Sequence, residues 1–306
     1  LPISGDDLSN YLRNLSADQI DRIDIISNPG AKYEAEGNAG IIDIRLKKDK
    51  SHGMNGSLNT SYSKGKRDRW NINSTGNYRN SKFNTFGMLG YSNTQNYELF
   101  DFLDFQNGLR LDKQTELVVD RKGISYRWGT DFFISENATL GFLLNGSDID
   151  GIGDSDSEAQ LGRNVQPFMT DSVLIAENNW DQNNKNNTYN LNYAYAKEGT
   201  SLNVDADFGR YEKTASFNQP NVYYTPQQDS ILTQNNSTSE QPVDIDIYTF
   251  KVDYEKNAFG GKLGLGTKFS SVNTDNFFEF KNFINDASDP SFEVDNDFFY
   301  NEKVYA

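Results

Sequence analysis

Carboxylates are concentrated between positions 148 and 158, where Gly151 and Gly153 interrupt the run of acidic residues. Calcium binds several carboxylate and carbonyl oxygens, and a flexible loop containing glycine can wrap around it. The spacing is not that of an EF-hand, and runs of charge are usually solvated. We therefore favour a solvated acidic loop, with a calcium site as the alternative use of these side chains: Asp148, Asp150, Asp154, Asp156 and Glu158.

Other groups suited to catalysis are scarce. The chain has one histidine, His52, and no cysteine, so neither a thiolate nucleophile nor a site with several histidine ligands is available. Glu34 and Glu36 form a close carboxylate pair, but no nucleophile elbow, zinc-protease motif or phosphate-binding loop accompanies them. The sequence therefore predicts no enzyme activity, no catalytic residue and no cofactor.

Aromatic residues recur in the polar segments that we predict to be loops. Their rings could stack on sugars or on a hydrophobic siderophore, whereas loop packing and anchoring at a membrane interface are the alternatives. The candidate ligand contacts are Tyr97, Phe100, Phe102, Phe105, Phe168, Trp180, Phe217, Tyr223 and Tyr224.

Strands with alternating character must position these residues. On either side of Gly199, apolar and polar residues alternate, which is typical of a strand with two unlike faces. The apolar positions there are Tyr189, Leu191, Tyr193, Leu202, Val204 and Phe208. Ten such strands are predicted, at residues 54–63, 68–79, 82–95, 117–135, 138–148, 184–197, 200–214, 243–257, 260–275 and 295–306.

The connections between these strands alternate between short and long. Tight turns are predicted at 80–81, 136–137, 197–199 and 257–260, and long polar loops at 96–116, 149–183, 215–242 and 276–294. Short turns at one end and long loops at the other are typical of antiparallel outer-membrane barrels. The sequence therefore predicts an all-β, antiparallel transmembrane β-barrel in the outer membrane, with long extracellular loops and contact with lipid.

Composition agrees with an exported barrel and excludes other classes. The mean hydropathy is -0.74 and no segment is apolar enough for a transmembrane helix, but barrel strands need only every second residue apolar. A net charge of -15 argues against nucleic acid as a partner. No signal peptide is visible, so we expect the natural N-terminus to lie outside this sequence.

The first fifty residues have a different pattern. Residues 8–14 predict a short helix or turn, and residues 16–19 begin another, with Ser16 as N-cap and Gln19 as its capping-box partner. Residues 23–26 and 41–46 predict two strands. Residues 47–50 form a basic linker.

Residues 8–48 resemble the C-terminal half of the plug domain of TonB-dependent outer-membrane receptors, particularly the outer-membrane β-barrel family common in Bacteroidetes. The resemblance is carried by an isoleucine-rich strand, an Asn-Pro-Gly-Ala-Lys-Tyr turn, an acidic-Gly pair and Gly-Ile-Ile-Asp-Ile. The motif residues are Asn28, Pro29, Gly30, Lys32, Tyr33, Glu34, Glu36, Gly37, Gly40 and Arg45. Many such receptors have Arg-Gly-Pro at this turn, and the plug-anchoring arginine has no counterpart at Asn28-Pro29-Gly30.

The resemblance implies a mechanism and a larger molecule. In this family a plug fills a 22-stranded barrel, and the TonB complex pulls an N-terminal box so that a ligand passes. It also implies that Glu34 and Glu36 hold the plug turn to the barrel wall through Arg or Lys partners, and that Lys32 and Arg45 act in the same way from the other side. We expect residues 1–50 to be half of a plug, an α+β segment, and residues 51–306 to be about ten strands of such a barrel, so that the chain is a fragment.

Three functions remain open at this point. The favoured one is import of an unidentified ligand by a TonB-dependent receptor. The alternatives are an outer-membrane scaffold or adhesion barrel without transport, and a soluble all-β carbohydrate-binding protein. The acidic charge favours neutral or cationic cargo.

Overall fold

The structure is a computed structural model that describes residues 20–26, 41–46, 52–258, 260–285, 287–288 and 292–306. The chain divides into two compact units, Leu1–Gly53 and Met54–Ala306. The assignment of plug and barrel domains to 1–50 and 51–306 stays a prediction.

The first unit contains two described strands, β1 (Ile20–Ile26) and β2 (Ile41–Leu46). They pair antiparallel, with Ile23 opposite Ile44 and Ile25 opposite Ile42. Both predicted strands are thereby confirmed, and β1 begins three residues earlier than expected. The helices predicted at 8–14 and 16–19 lie outside the described residues.

The second unit is one antiparallel sheet of twelve strands. In chain order they are β3 (Gly53–Lys64), β4 (Asp68–Arg79), β5 (Phe83–Gln106), β6 (Leu109–Ser135), β7 (Ala138–Arg163), β8 (Met169–Lys197), β9 (Thr200–Tyr224), β10 (Ile231–Glu240), β11 (Val243–Ala258), β12 (Gly261–Ile284), β13 (Ala287–Ser288) and β14 (Val294–Tyr305). From β3 to β9 each strand pairs with the next, as in a meander.

Twelve strands occupy ten positions in the sheet. β10 and β11 lie end to end between β9 and β12, separated at Pro242, which has no amide hydrogen to donate. β13 and β14 likewise pair with different parts of β12. Each of these two pairs occupies a single position in the sheet. The ten predicted strands and their antiparallel order are therefore confirmed.

The predicted long loops are wrong. Residues 96–116, 149–183, 215–242 and 276–294 mostly continue the flanking strands, which reach 29 residues in β8. The backbone N–H and C=O groups of these segments are paired along continuous ladders. The segments therefore form strands even though their side chains, many of them Asn and Ser, make no apolar face. We call the parts of β5–β12 that continue beyond the alternating apolar segments the strand extensions.

The tight turns predicted at 80–81, 136–137 and 197–199 are confirmed, and the one at 257–260 lies partly outside the described residues. A further turn is found at Asn107-Gly108, where both residues have positive φ (52° and 77°). Gly199 also has positive φ (76°), as its predicted role in a turn requires. Among the described residues no pairing joins β3 to β14, and the sheet is open there. No helix in the described part of the chain is long and apolar enough to cross a membrane.

Replacing Gly108 by alanine tests the turn between β5 and β6. Only glycine adopts this φ without steric cost, and we expect the substitution to destabilise the hairpin by about 1–2 kcal/mol. Faster amide hydrogen exchange in residues 96–116 would report the loss. Gly76→Ala is the control, because its added Cβ meets nothing within 4 Å and its φ is not positive; equal exchange in both variants would contradict the prediction.

Candidate functional site

One face of the sheet carries a continuous apolar belt across ten strand positions. Residues paired between neighbouring strands share a face, so the register identifies the belt directly: Tyr193 lies opposite Val204, which lies opposite Val252. The belt comprises Leu58, Tyr62, Trp70, Ile72, Tyr78, Phe83, Leu89, Tyr91, Ile124, Tyr126, Trp128, Phe132, Leu140, Phe142, Leu144, Tyr189, Leu191, Tyr193, Leu202, Val204, Phe208, Tyr248, Phe250, Val252, Tyr254, Leu263, Leu265, Phe269 and Tyr305.

The belt is not a protein core. Leu89, Leu191 and Leu265 are 59%, 52% and 61% exposed, and among the described residues no large side chain is fully buried. Neighbouring rings nevertheless contact one another along the belt: Phe208 lies 5.9 Å from Tyr189 and 4.9 Å from Tyr248, between ring centroids. An exposed apolar surface of this extent requires an apolar medium or partner to cover it.

The opposite face is polar over the same length of strand. Asn190 donates to Asp207 at 2.7 Å, Asn192 donates to Asn190 at 2.6 Å, and Lys251 forms an ion pair with Asp253 at 3.0 Å. A sheet with an apolar face and a polar face, each on alternate residues, matches the wall of a barrel that separates lipid from water.

The five carboxylates considered for calcium lie on β7, all on the belt face of the strand extensions. Asp148 and Glu158 are ten residues apart on one strand, which is about 33 Å, so the side chains do not converge on one ion. Asn183 donates to Asp148 at 2.9 Å and to Asp150 at 2.6 Å, and Lys185 lies 3.8 Å from Asp148. In the described part of the chain no acidic or histidine cluster is placed to hold a metal.

Gly151 and Gly153 make room for Trp180 rather than for a metal-binding turn. Gly153 pairs with Trp180 across β7 and β8, and a Cβ on Gly153 would overlap the indole ring. A Cβ on Gly151 would also approach the ring, at 3.3 Å. Trp180, predicted as a ligand contact in a loop, therefore lies in a strand and packs against the backbone of β7.

Among the other predicted aromatic contacts, Phe217 pairs with Trp180 across β8 and β9, and the rest are not gathered with these two. Phe100 and Phe102 contact each other on β5, with ring centroids 6.0 Å apart. The remaining side chains are distributed over several elements and both faces of the sheet. Tyr97 and Phe105 lie on β5, Phe217, Tyr223 and Tyr224 on β9, and Phe168 directly precedes β8.

A depression of about 520 Å³ lies across β7, β8, β9, β10 and β12 in the strand extensions. Most of its lining side chains belong to the belt face. One of these, Ile152, is apolar, and the others are hydroxyl, amide or charged groups: Asn179, Asp181, Ser216, Asn218, Thr238, Glu240, Glu279 and Lys281. Trp180, Phe217 and Ser239 complete the lining. No sequence signal points to Glu240, Glu279 and Lys281, because only the strand register brings them beside β8 and β9.

Charge in this depression is predominantly negative. Lys281 forms an ion pair with Glu279 at 2.8 Å, and its hydrogen bond to Glu279, with the nearby negative charges of Glu279 and Glu240, raises the pKa of the lysine. Asp181 and Glu240 remain as acceptors next to Asn and Ser side chains. The arrangement suits ligands with several hydroxyl or ammonium groups and disfavours anions.

The plug-motif residues lie almost entirely outside the described residues. Only Arg45 is described, in β2, and solely through its backbone. The ion pairs expected for Lys32, Glu34, Glu36 and Arg45 stay predictions.

Comparison with known proteins adds one match. The model of the outer membrane protein beta-barrel family matches residues 193–306, from the end of β8 to β14. Neither the curated proteins nor the solved structures contain a match to the chain. The matched segment contains the belt residues from Tyr193 to Tyr305. Residues 193–306 are therefore an outer membrane protein beta-barrel family domain, and the protein is located in the outer membrane.

Proposed function

We propose that this protein is a TonB-dependent outer-membrane receptor that imports a ligand. The observation that carries the proposal is the apolar belt with a polar face behind it, because such a wall encloses a water-lined passage. On this proposal the ten strand positions are part of a 22-stranded barrel of the type common in Bacteroidetes.

The gating function rests on residues 1–50, which we propose belong to the plug domain. Support comes from the antiparallel pair of β1 and β2, whose Ile-rich strands flank the Asn-Pro-Gly turn of the motif. The TonB complex would act on an N-terminal box in the complete protein.

The cargo we propose is neutral or cationic and rich in hydroxyl or amino groups. The net charge of -15 disfavours anions. The depression lies on the outer side of the wall, in the strand extensions, so its acceptors and donors would contact such a ligand before it enters the passage. Free oligosaccharides and basic peptides are the two classes to test.

Uptake by living cells tests the proposal. A strain lacking the gene and the same strain with the full-length gene restored are given labelled oligosaccharides and basic peptides. We expect uptake of at least one class only in the restored strain, and we expect a protonophore or loss of TonB to abolish it. Uptake that continues without TonB would contradict the proposal.

A non-transporting scaffold or adhesion barrel is the second candidate. It is favoured by the strand extensions, since β8 continues for 29 residues, much longer than the ~9–11 residues that a membrane-spanning strand needs. Outer-membrane insertion without uptake of any ligand, together with loss of cell attachment on deletion, would favour this function.

A further inference from the structure

A basic turn stands out in a strongly acidic chain. Lys64 ends β3, Lys66 and Arg67 lie in the connection to β4, and Asp68 and Arg69 begin β4. The four cationic residues line a cavity of about 270 Å³ together with Tyr97. The whole protein carries a net charge of -15, so four cations around one cavity are an unusual local feature.

Two of the four side chains are held in place by contacts. The Lys66 ammonium lies 3.1 Å from the centroid of the Tyr97 ring and 3.7 Å from Glu116. Arg69 donates through Nε to the Gln95 carbonyl oxygen at 3.4 Å. Among the described residues no carboxylate lies within ion-pair distance of Lys64, Arg67 or Arg69. Positive charge at this turn is therefore only partly neutralised.

The cavity lies at the rim of the apolar belt. Tyr62 and Trp70 are belt residues on either side of the turn, with ring centroids 4.4 Å apart, and each is 48% exposed. Paired aromatic rings at this position are typical of the girdle of a membrane barrel. Lys64 lies two residues beyond Tyr62 on the same face, which is about 7 Å along the strand. This distance matches the thickness of a lipid headgroup region, roughly 5–8 Å on each side of the hydrocarbon.

We propose that this cavity binds the phosphate of an anionic lipid headgroup. In barrels of this kind the end with tight turns, here those at 80–81, 136–137 and 197–199, faces the periplasm. The β3–β4 turn lies at the other end of the sheet, from which the strand extensions project, so the lipid belongs to the outer leaflet. Lys64 and Arg67 contact the phosphate, and Lys66 is positioned by Tyr97. Arg69, one residue before Trp70, lies on the polar face, where its Nε donates to Gln95. The proposal rests on the outer-membrane location and is independent of transport.

The test is lipid binding by the full chain in neutral detergent micelles. Fluorescent phosphatidylglycerol is the anionic probe, and fluorescent phosphatidylcholine, which has no net charge, is the control lipid. One cation near an anionic surface is worth about a fivefold change in affinity, so Lys64→Ala with Arg67→Ala is expected to weaken phosphatidylglycerol binding about 25-fold. Phosphatidylcholine binding is expected to stay unchanged.

Lys113→Ala with Lys213→Ala is the matched control. Both lysines are on the polar face of the strand extensions, outside the cavity, and we expect this pair to change the affinity less than twofold. Equal weakening in both double variants, or no weakening in the first, would overturn the proposal. Displacement of the lipid by an equal concentration of inorganic phosphate would overturn the assignment to a headgroup, because the site would then recognise free phosphate.

Discussion

Val204→Arg is expected to lower the free energy of unfolding in lipid vesicles by about 2–4 kcal/mol, the cost of a cation on the lipid face near the middle of a bilayer. Val204 lies between Tyr193 and Val252 in the register, inside the belt segment of β9. Denaturant titration of the full chain in phosphatidylcholine vesicles, followed by tryptophan fluorescence, measures the change.

Asn203→Arg is the matched control, one residue away on the opposite face. Asn203 is exposed and pairs with Ala194 and Asp253. An arginine on this polar face can remain in water, and we expect a change within about 0.5 kcal/mol. Comparable costs at both positions would contradict the assignment of the two faces.

The alternation of apolar and polar residues predicted the strand segments that carry the belt. Side chains two residues apart share a face, so Leu191 and Tyr193 predict an apolar surface from sequence alone. The boundaries of β4 (Asp68–Arg79) were predicted to the residue. The same rule led to the predicted location in the outer membrane, which the family match to residues 193–306 supports.

The strand extensions lack this signal. Their two faces are not divided into apolar and polar, so the alternation used within the belt is absent and residues 96–116 were predicted as loop. One local signal was nevertheless present: Asn107-Gly108 is the dipeptide preferred in two-residue hairpin turns. A hairpin turn at this dipeptide predicts that β5 and β6 pair with each other over their full length.

Contacts between strands distant in sequence could not be predicted. The depression brings Ile152 of β7 together with Lys281 of β12, more than a hundred residues later, and only the register of four intervening pairings does so. The basic cavity likewise needs Tyr97 of β5 beside the turn that contains Lys66. Residue types alone indicated neither site.

Glycines paired with aromatic rings recur across this sheet. Phe86 lies over Gly129, Tyr126 lies over Gly146, and Trp180 lies over Gly153. In each pair the glycine is directly opposite the ring, and a Cβ would overlap it. A large ring covering a cross-strand glycine pins the register, because a shift by one residue would remove the space that the ring occupies.

Gly153→Ala is therefore expected to destabilise the sheet by about 1–3 kcal/mol, the usual cost of overpacking. The indole of Trp180 would have to leave its position over β7. Thermal unfolding of the full chain in micelles, followed by near-ultraviolet circular dichroism, reports both the stability and the environment of the tryptophan.

Gly209→Ala is the matched control on the same face. Its Cβ would lie 3.8 Å from Ile247 and Thr188, at ordinary contact distance, so alanine is expected to stabilise β9 slightly by removing backbone freedom from the unfolded chain. The two substitutions should thus have opposite signs. Adding Trp180→Ala to Gly153→Ala should cost less than the sum of the two single substitutions, because the overlap is already removed. Additive costs would mean that the indole does not rest on Gly153.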